Sequence, residues 1–272
     1  MAGVDQMYSA IGLHHEGSWI AACNPSAYGH IDSGLLQDLR VAYFFDPESV
    51  RKSMTDVGIC LVNGVLDQER IQELRNVFPK DAHGIRNLLD LQMIRELACS
   101  ESVKGLAQSV LGNDCFAVRG IFFDKPSNAN WKLCFHQDVT IEVQFRKDAP
   151  GFCNWRVKDQ IQCVQPPTEI LKRIVSVRLH LDDSRSDNGP LRIFRGSHKN
   201  GRLTQSQIDQ IIESETPVEC RVPVGGALMM KPFVVHGSSS ALNPTHRRVI
   251  HLDYAADDLP HGLEWRHRVY SA

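Results

Sequence analysis

After Gly112 the sequence changes its grammar and does not change back. Short runs rich in Val, Ile, Phe, Leu and Tyr follow one another: CFAVRGIFFD, KLCFHQDVTIEV, IVSVRLHLDD, PLRIF, VECRV, ALMMKPFVVH and RRVIHLDYA. Turn chemistry separates several of them: SRSDNGP at 184–190, VGG at 224–226 and NPT at 243–245. Before Gly112 the pattern is helical. In GVLDQERIQELRNVF, Asp67 is placed to cap a helix whose Ile71, Leu74 and Phe78 share one face. In SESVKGLAQSVLGND, Val103, Leu106, Ala107, Val110 and Leu111 recur at helical spacing, and Gly112 is a natural stop. Residues 85–97 are predicted as a further helix between these two. Helices followed by many strands predict an α+β domain with a mainly β core, folded as a sandwich or barrel. The stretch 146–167, with Pro150, Gly151, Pro166 and Pro167, is long for a connection between strands and is predicted to act as a lid.

Composition narrows the function classes. The net charge of −2 over 272 residues gives no global field that would draw nucleic acid or an acidic membrane. The start has no basic segment followed by an apolar run, and no stretch approaches 18 apolar residues, so neither a leader nor a membrane span is expected. The eight cysteines are scattered without a CxxC pattern. They are expected to be reduced, mostly buried thiols of a cytoplasmic protein.

Four His-x-Asp pairs occur: His30/Asp32, His136/Asp138, His180/Asp182 and His251/Asp253. In a strand, residues two apart share a face, so an imidazole and a carboxylate can meet one metal ion while the residue between them points away. Most such pairs are hydrogen-bonding pairs, so the pattern needs company. A two-histidine, one-carboxylate set requires a second histidine from another strand. ALMMKPFVVHGSSS offers His236 at the end of an apolar run. Eleven residues later Arg247 opens the next strand, where a buried guanidinium needs a carboxylate to grip. Its neighbour Arg248 reads as an ordinary salt-bridge partner.

His-x-Asp, about 100 residues, then His, then Arg at the next strand: with these spacings the chain resembles the phytanoyl-CoA dioxygenase family of Fe(II)/2-oxoglutarate oxygenases. NWKLCFHQD, LHLDDSRSDNGPLRIFRGSHKNG and VVHGSSSALNPTHRRVIHLDYA carry the likeness, which spans roughly residues 55–260. The resemblance implies a double-stranded β-helix, a cupin-like jelly roll flanked by N-terminal helices. It makes 41–272 one oxygenase domain behind a poorly specified extension, 1–40. It implies iron ligands His136, Asp138 and His236. Arg247 would bind the far carboxylate of 2-oxoglutarate, Ser238 would hydrogen-bond it, and Lys125 would approach it from an adjacent strand. The implied reaction consumes O2 and 2-oxoglutarate, releases succinate and CO2, and hydroxylates a small molecule. Asp138 speaks against halogenation, for which related enzymes vacate that position.

Substrate recognition is less legible. Many relatives carry a tryptophan where this chain has Arg178. Ser176, Arg178, His180 and Asp182 make one face of their strand polar. That face either lines the pocket, where Arg178 would meet an anionic or polar substrate, or is solvated. Trp155 either closes over the pocket or packs against the barrel end. A non-catalytic metal- or ligand-binding jelly roll stands as the alternative, distinguished by the absence of succinate formation.

Overall fold

A computed structural model describes residues 41–42, 46–79, 82–126 and 130–270; the extension 1–40 lies outside the described residues. The helices lead, as the periodicity predicts. α1 (Pro47–Asp56) starts at Asp46, whose carboxylate accepts from the backbone of Glu48 and Ser49, with Pro47 in the first turn. α2 (Gln68–Val77) is capped by Asp67, which accepts from Arg70 N at 2.8 Å. α3 (Gln92–Cys99) and α4 (Glu101–Leu111) follow, and α4 stops at Gly112 with φ +96°. The helix expected over 85–97 is shorter than predicted. Ile85 is in a two-residue strand, Asn87 turns left-handed at φ 59°, and a 3₁₀ turn over Leu88–Asp90 precedes α3.

Seven strands form the major sheet: β1 (Val41–Ala42), β2 (Ile59–Val62), β3 (Gly84–Ile85), β4 (Phe116–Phe123), β9 (Ile174–His180), β12 (Ala227–Met230) and β14 (Val249–Ala255). Their order is β1-β2-β12-β9-β14-β4-β3, antiparallel except for β1 with β2. The minor sheet runs β11 (Val218–Cys220), β10 (Leu191–Ile193), β13 (His236–Ser238), β5 (Leu133–His136). A third sheet joins β6 (Ile141–Val143), β8 (Ile161–Gln165) and β7 (Cys153–Lys158). Two shorter helices, α5 (Thr168–Lys172) and α6 (Gln205–Ser214), lie among the later strands.

Alternation along the strands sorts the side chains. Val175, Val177, Leu179, Ile250, Leu252 and Tyr254 point outward under the helices, where they bury with Met54, Leu74, Leu97 and Leu106. Tyr254 also donates to Ala98 O at 2.8 Å, tying β14 to α3. The inward face carries Leu228 and Met230, which meet Leu191, Ile193 and Val218 of the minor sheet. Two facing sheets with helices on one outer face realise the predicted α+β double-stranded β-helix. The polar face of β9 is therefore internal, not solvated: Ser176, Arg178 and His180 are all buried.

Two expectations of continuous strands need correction. WKLCFHQDVTIEV is not one strand; β5 ends at His136 and β6 begins at Ile141. ALMMKPFVVH is also two strands in different sheets. Lys231-Pro232 breaks it, since a proline has no N–H for a central ladder. The predicted lid is the β7–β8 hairpin, turning at Asp159 and Gln160 with φ 49° and 66°. Two consecutive left-handed residues match the twist of a two-residue hairpin. Cys60, Cys99, Cys115, Cys153, Cys163 and Cys220 are free thiols, as expected, whereas Cys134 is disulfide-bonded. Among the described residues no helix is long and apolar enough to cross a membrane.

Candidate metal centre and cavity

β5 and β13 lie side by side with His136 directly opposite His236; the ring centroids are 4.4 Å apart. Close strand approach makes this possible. A Cβ on Gly237 would stand 2.8 Å from the Leu133 carbonyl oxygen and 3.0 Å from the Phe135 ring. Asp138 reaches the pair from just beyond β5, not from within it. Its N–H donates to Pro232 O at 3.0 Å. Gln137 fixes this loop: its amide donates to Gly201 O and Phe233 O, at 2.8 and 2.7 Å, and its oxygen accepts from Leu203 N at 2.8 Å. Gln137 thus points away from the pair it separates, as alternation predicts.

The tautomers follow from the partners. Nδ1 of His136 faces Cys134 O at 2.9 Å, and Nδ1 of His236 faces Val234 O at 2.9 Å. A carbonyl only accepts, so Nδ1 carries the proton and each Nε2 presents a bare lone pair. Both Nε2 atoms face Asp138, at 3.7 and 3.6 Å, beyond hydrogen-bond reach. The three ligand atoms lie within 4.8 Å of one another. Adjacent ligands around an octahedral ion with ~2.1 Å bonds stand ~3 Å apart, so small movements would close this set on a metal. Burial pushes His236 down to about 3, aided by His136, which keeps the imidazole neutral as a ligand must be. Burial works to raise the Asp138 pKa, and His236, then His136, outweigh it and hold the carboxyl well below its usual range. The donor set therefore fits a divalent transition metal and leaves one face open.

That open face looks into a cavity of about 550 Å³. Arg178 lines it beside the triad, and so do Trp131 and Trp155. Arg178 Nη1 donates to His251 Nδ1 at 2.9 Å, so His251 must carry its proton on Nε2, which donates to Asp253 Oδ1 at 2.8 Å. Asp253 also accepts from Ser176 Oγ at 2.6 Å and Arg119 Nε at 2.5 Å. This buried chain aims the guanidinium. Composition alone did not distinguish His251/Asp253 from the other His-x-Asp pairs; the signal was their place in the strand after Arg247.

Arg247, Ser238 and Lys125 gather around Asp124, buried and behind the residues that line the cavity. Lys125 Nζ donates to Ser238 Oγ at 2.9 Å and Ser239 O at 2.6 Å. Asp124 Oδ1 accepts from the backbone of Lys125 and of Arg247, at 2.7 and 2.8 Å. Arg247 Nη1 donates to the Gly189 carbonyl, and among the described residues its Nε has no hydrogen-bond partner. Burial, then Arg178, depresses the Arg247 pKa against the pull of Asp124. Burial, then Arg247, lowers that of Lys125. Such a group is short of negative charge. Arg248 forms the ordinary ion pair expected of it: Nε and Nη2 grip the two oxygens of Asp182, each at 2.8 Å, and Arg75 adds a third contact. Asp182 is thereby taken, and among the described residues His180 joins no group that could hold a metal.

Solved structures share this fold. EctD from S. alaskensis with bound Fe superposes with a TM-score of 0.59 at 15% identity, covering 80% of each chain. HygX from Streptomyces hygroscopicus with nickel and 2-oxoglutarate bound gives 0.55 at 16% identity, covering 75% of this chain and 86% of that one. AviO1 from Streptomyces viridochromogenes Tue57 gives 0.57 at 18% identity, over 80% and 99%. No curated protein matches in sequence. The family model for phytanoyl-CoA dioxygenase (PhyH) matches residues 77–249, more than half the chain and the stretch holding both metal-facing histidines, Asp138 and Arg247; the protein belongs to the phytanoyl-CoA dioxygenase family.

Proposed function

We propose that this protein is an Fe(II)/2-oxoglutarate-dependent dioxygenase that hydroxylates an unactivated C–H bond of a small molecule. The observation that carries the reading is the triad: two Nε2 lone pairs and one carboxylate converge on a single point at a cavity wall. His136, Asp138 and His236 would hold the iron. When bound, iron and 2-oxoglutarate supply the activation of dioxygen, with the keto acid oxidised to succinate and CO2 and one oxygen atom passing to the substrate carbon.

The chain's own residues provide placement. The Arg247 fork would take the far carboxylate of 2-oxoglutarate, exchanging its contact with the Gly189 carbonyl for a charge-assisted one. Ser238 would add a hydrogen bond, held in position by Lys125. Lys125 thus supports the site through Ser238. Arg178, held by His251, would orient whichever anion or polar group enters between the triad and Arg247. Trp131 and Trp155 line the cavity and would shield the bound reactants from water.

Anaerobic addition of Fe(II) and 2-oxoglutarate should give a weak visible charge-transfer band that neither gives alone. His136→Ala and Asp138→Ala should abolish the band and all succinate formation. Succinate formation surviving both substitutions would refute the assignment.

A further inference from the structure

The cavity wall is unbalanced. Among the described residues five cationic side chains line it, Arg86, Arg119, Arg156, Lys158 and Arg178, against one carboxylate, Asp138. Four of the cations have partners, Arg156 among them. Arg86 pairs with Glu142 at 3.1 Å, Arg119 with Asp253 and Arg178 with His251. Lys158 differs: it is 6% exposed, and its ammonium makes no hydrogen bond or ion pair among the described residues. A buried ammonium is costly without an anion or a network to hold it.

The hairpin explains how it comes to lie there. Arg156 and Lys158 are two apart on β7 and share a face. Arg156 stands opposite Cys163 of β8, and Cys163 in turn stands opposite Glu142 of β6, so this face is the one turned to the cavity. Arg119 connects the hairpin to the metal centre, since it feels Asp138 on one side and raises the positive potential at Lys158 on the other. A divalent metal and a dianionic co-substrate would cancel each other and leave the excess in place.

We infer that the primary substrate is a small organic anion whose carboxylate or phosphate is held by Lys158 and Arg156 on the β7–β8 hairpin, across the cavity from the triad. This rests on the oxygenase reading above. Burial, then Arg86, pushes the Lys158 pKa down to about 8, so the ammonium stays mostly charged at neutral pH and is strained enough to welcome an anion. A cavity of about 550 Å³ admits a small molecule, not a chain.

The test is calorimetric titration of the anaerobic Fe(II)–2-oxoglutarate protein with octanoate and, separately, phenyl phosphate. One of the two should bind once per chain, and which one binds assigns the anionic group. Lys158→Met should weaken that binding about 10- to 100-fold, the loss of one charge-assisted contact, and Lys158→Arg should restore it to within threefold. If Lys158→Met does not fold, Arg156→Gln, on the half-buried neighbour, should weaken the same isotherm. Binding of neither acid would overturn the proposal, and so would undiminished binding to Lys158→Met. Displacement of 2-oxoglutarate, seen as loss of the charge-transfer band, would overturn it by assigning the hairpin to the co-substrate. If the band is absent from the wild type, the oxygenase reading fails; if the band is present and the acids do not bind, only the hairpin assignment fails.

Discussion

Asp253→Asn tests the network under the cavity. Asp253 Oδ1 accepts two bonds, from Ser176 and His251, and Oδ2 accepts one, from Arg119. An asparagine can keep its oxygen on the side with two donors, and its NH2 then faces the Arg119 guanidinium, donor against donor. Arg119 keeps its bond to Thr140 O at 3.0 Å but loses the carboxylate that neutralises it. Breaking a buried ion pair from one side costs about 3–5 kcal/mol. In a chain of this size each kcal/mol moves the melting temperature by about 2–4 °C, so a loss of about 6–20 °C is expected. Acid denaturation gives a second readout. Burial works to raise the Asp253 pKa, but Arg119, then His251 and Ser176, hold it below the ordinary carboxylate value. A depressed folded pKa contributes stability that is fully present above the unfolded value, about 3.9, and is lost as pH falls through the folded one. Asp253→Asn should therefore lose most stability at neutral pH and show a flatter acid limb. Thermal melts from pH 2.5 to 7 decide the matter. A loss under 1 kcal/mol at pH 7, or an unchanged acid limb, would refute the electrostatic account of this strand pair.

Other outcomes follow from single contacts. Gly237→Ala should push β13 from β5 and part the two histidines, lowering Co(II) affinity at least tenfold in optical titration while the helices stay folded by circular dichroism. Asp67→Ala should cost about 1 kcal/mol in denaturant unfolding, with metal binding unchanged, because the cap of α2 is remote from the site. Gln137→Ala should raise the metal dissociation constant, since three bonds that hold the Asp138 loop are lost. A chelator should remove turnover, and added Fe(II) should restore it.

The features legible in the sequence were those set by local rules. Asp67 and Gly112 bracket helices by backbone chemistry, and α2 and α4 emerge where the apolar period places them. The joint occurrence of His136, Asp138, His236 and Arg247 was legible because each is a polar residue in an apolar run, which needs a reason to exist. Strand breaks inside apolar runs were not legible as such. KLCFHQDVTIEV reads as continuous alternation, yet β5 ends at His136, and Gln137 is bonded instead to the 201–203 loop and to Phe233. In ALMMKPFVVH the break does have a local cause, Pro232, which the apolar residues on both sides of it mask. The β7–β8 hairpin escaped because Asp159-Gln160 lacks the glycine that advertises such turns, and its pairing with β6 is a tertiary choice. Lys158 gave no sign of its surroundings, since a lysine in a hairpin is ordinarily at the surface.

The position of β14 sets an order of events during synthesis. This strand is the last among the described residues, yet it lies in the interior of the major sheet, paired with β9 on one side and β4 on the other. Until residues 249–255 leave the ribosome, the sheet has an open seam through its middle, and Arg247 and the His251–Asp253 pair are absent from the barrel. Asp138 is made more than 100 residues earlier, roughly 5–20 s ahead at ordinary rates of translation. The triad residues are thus all made before the buried Arg178–His251–Asp253 chain beside them can close.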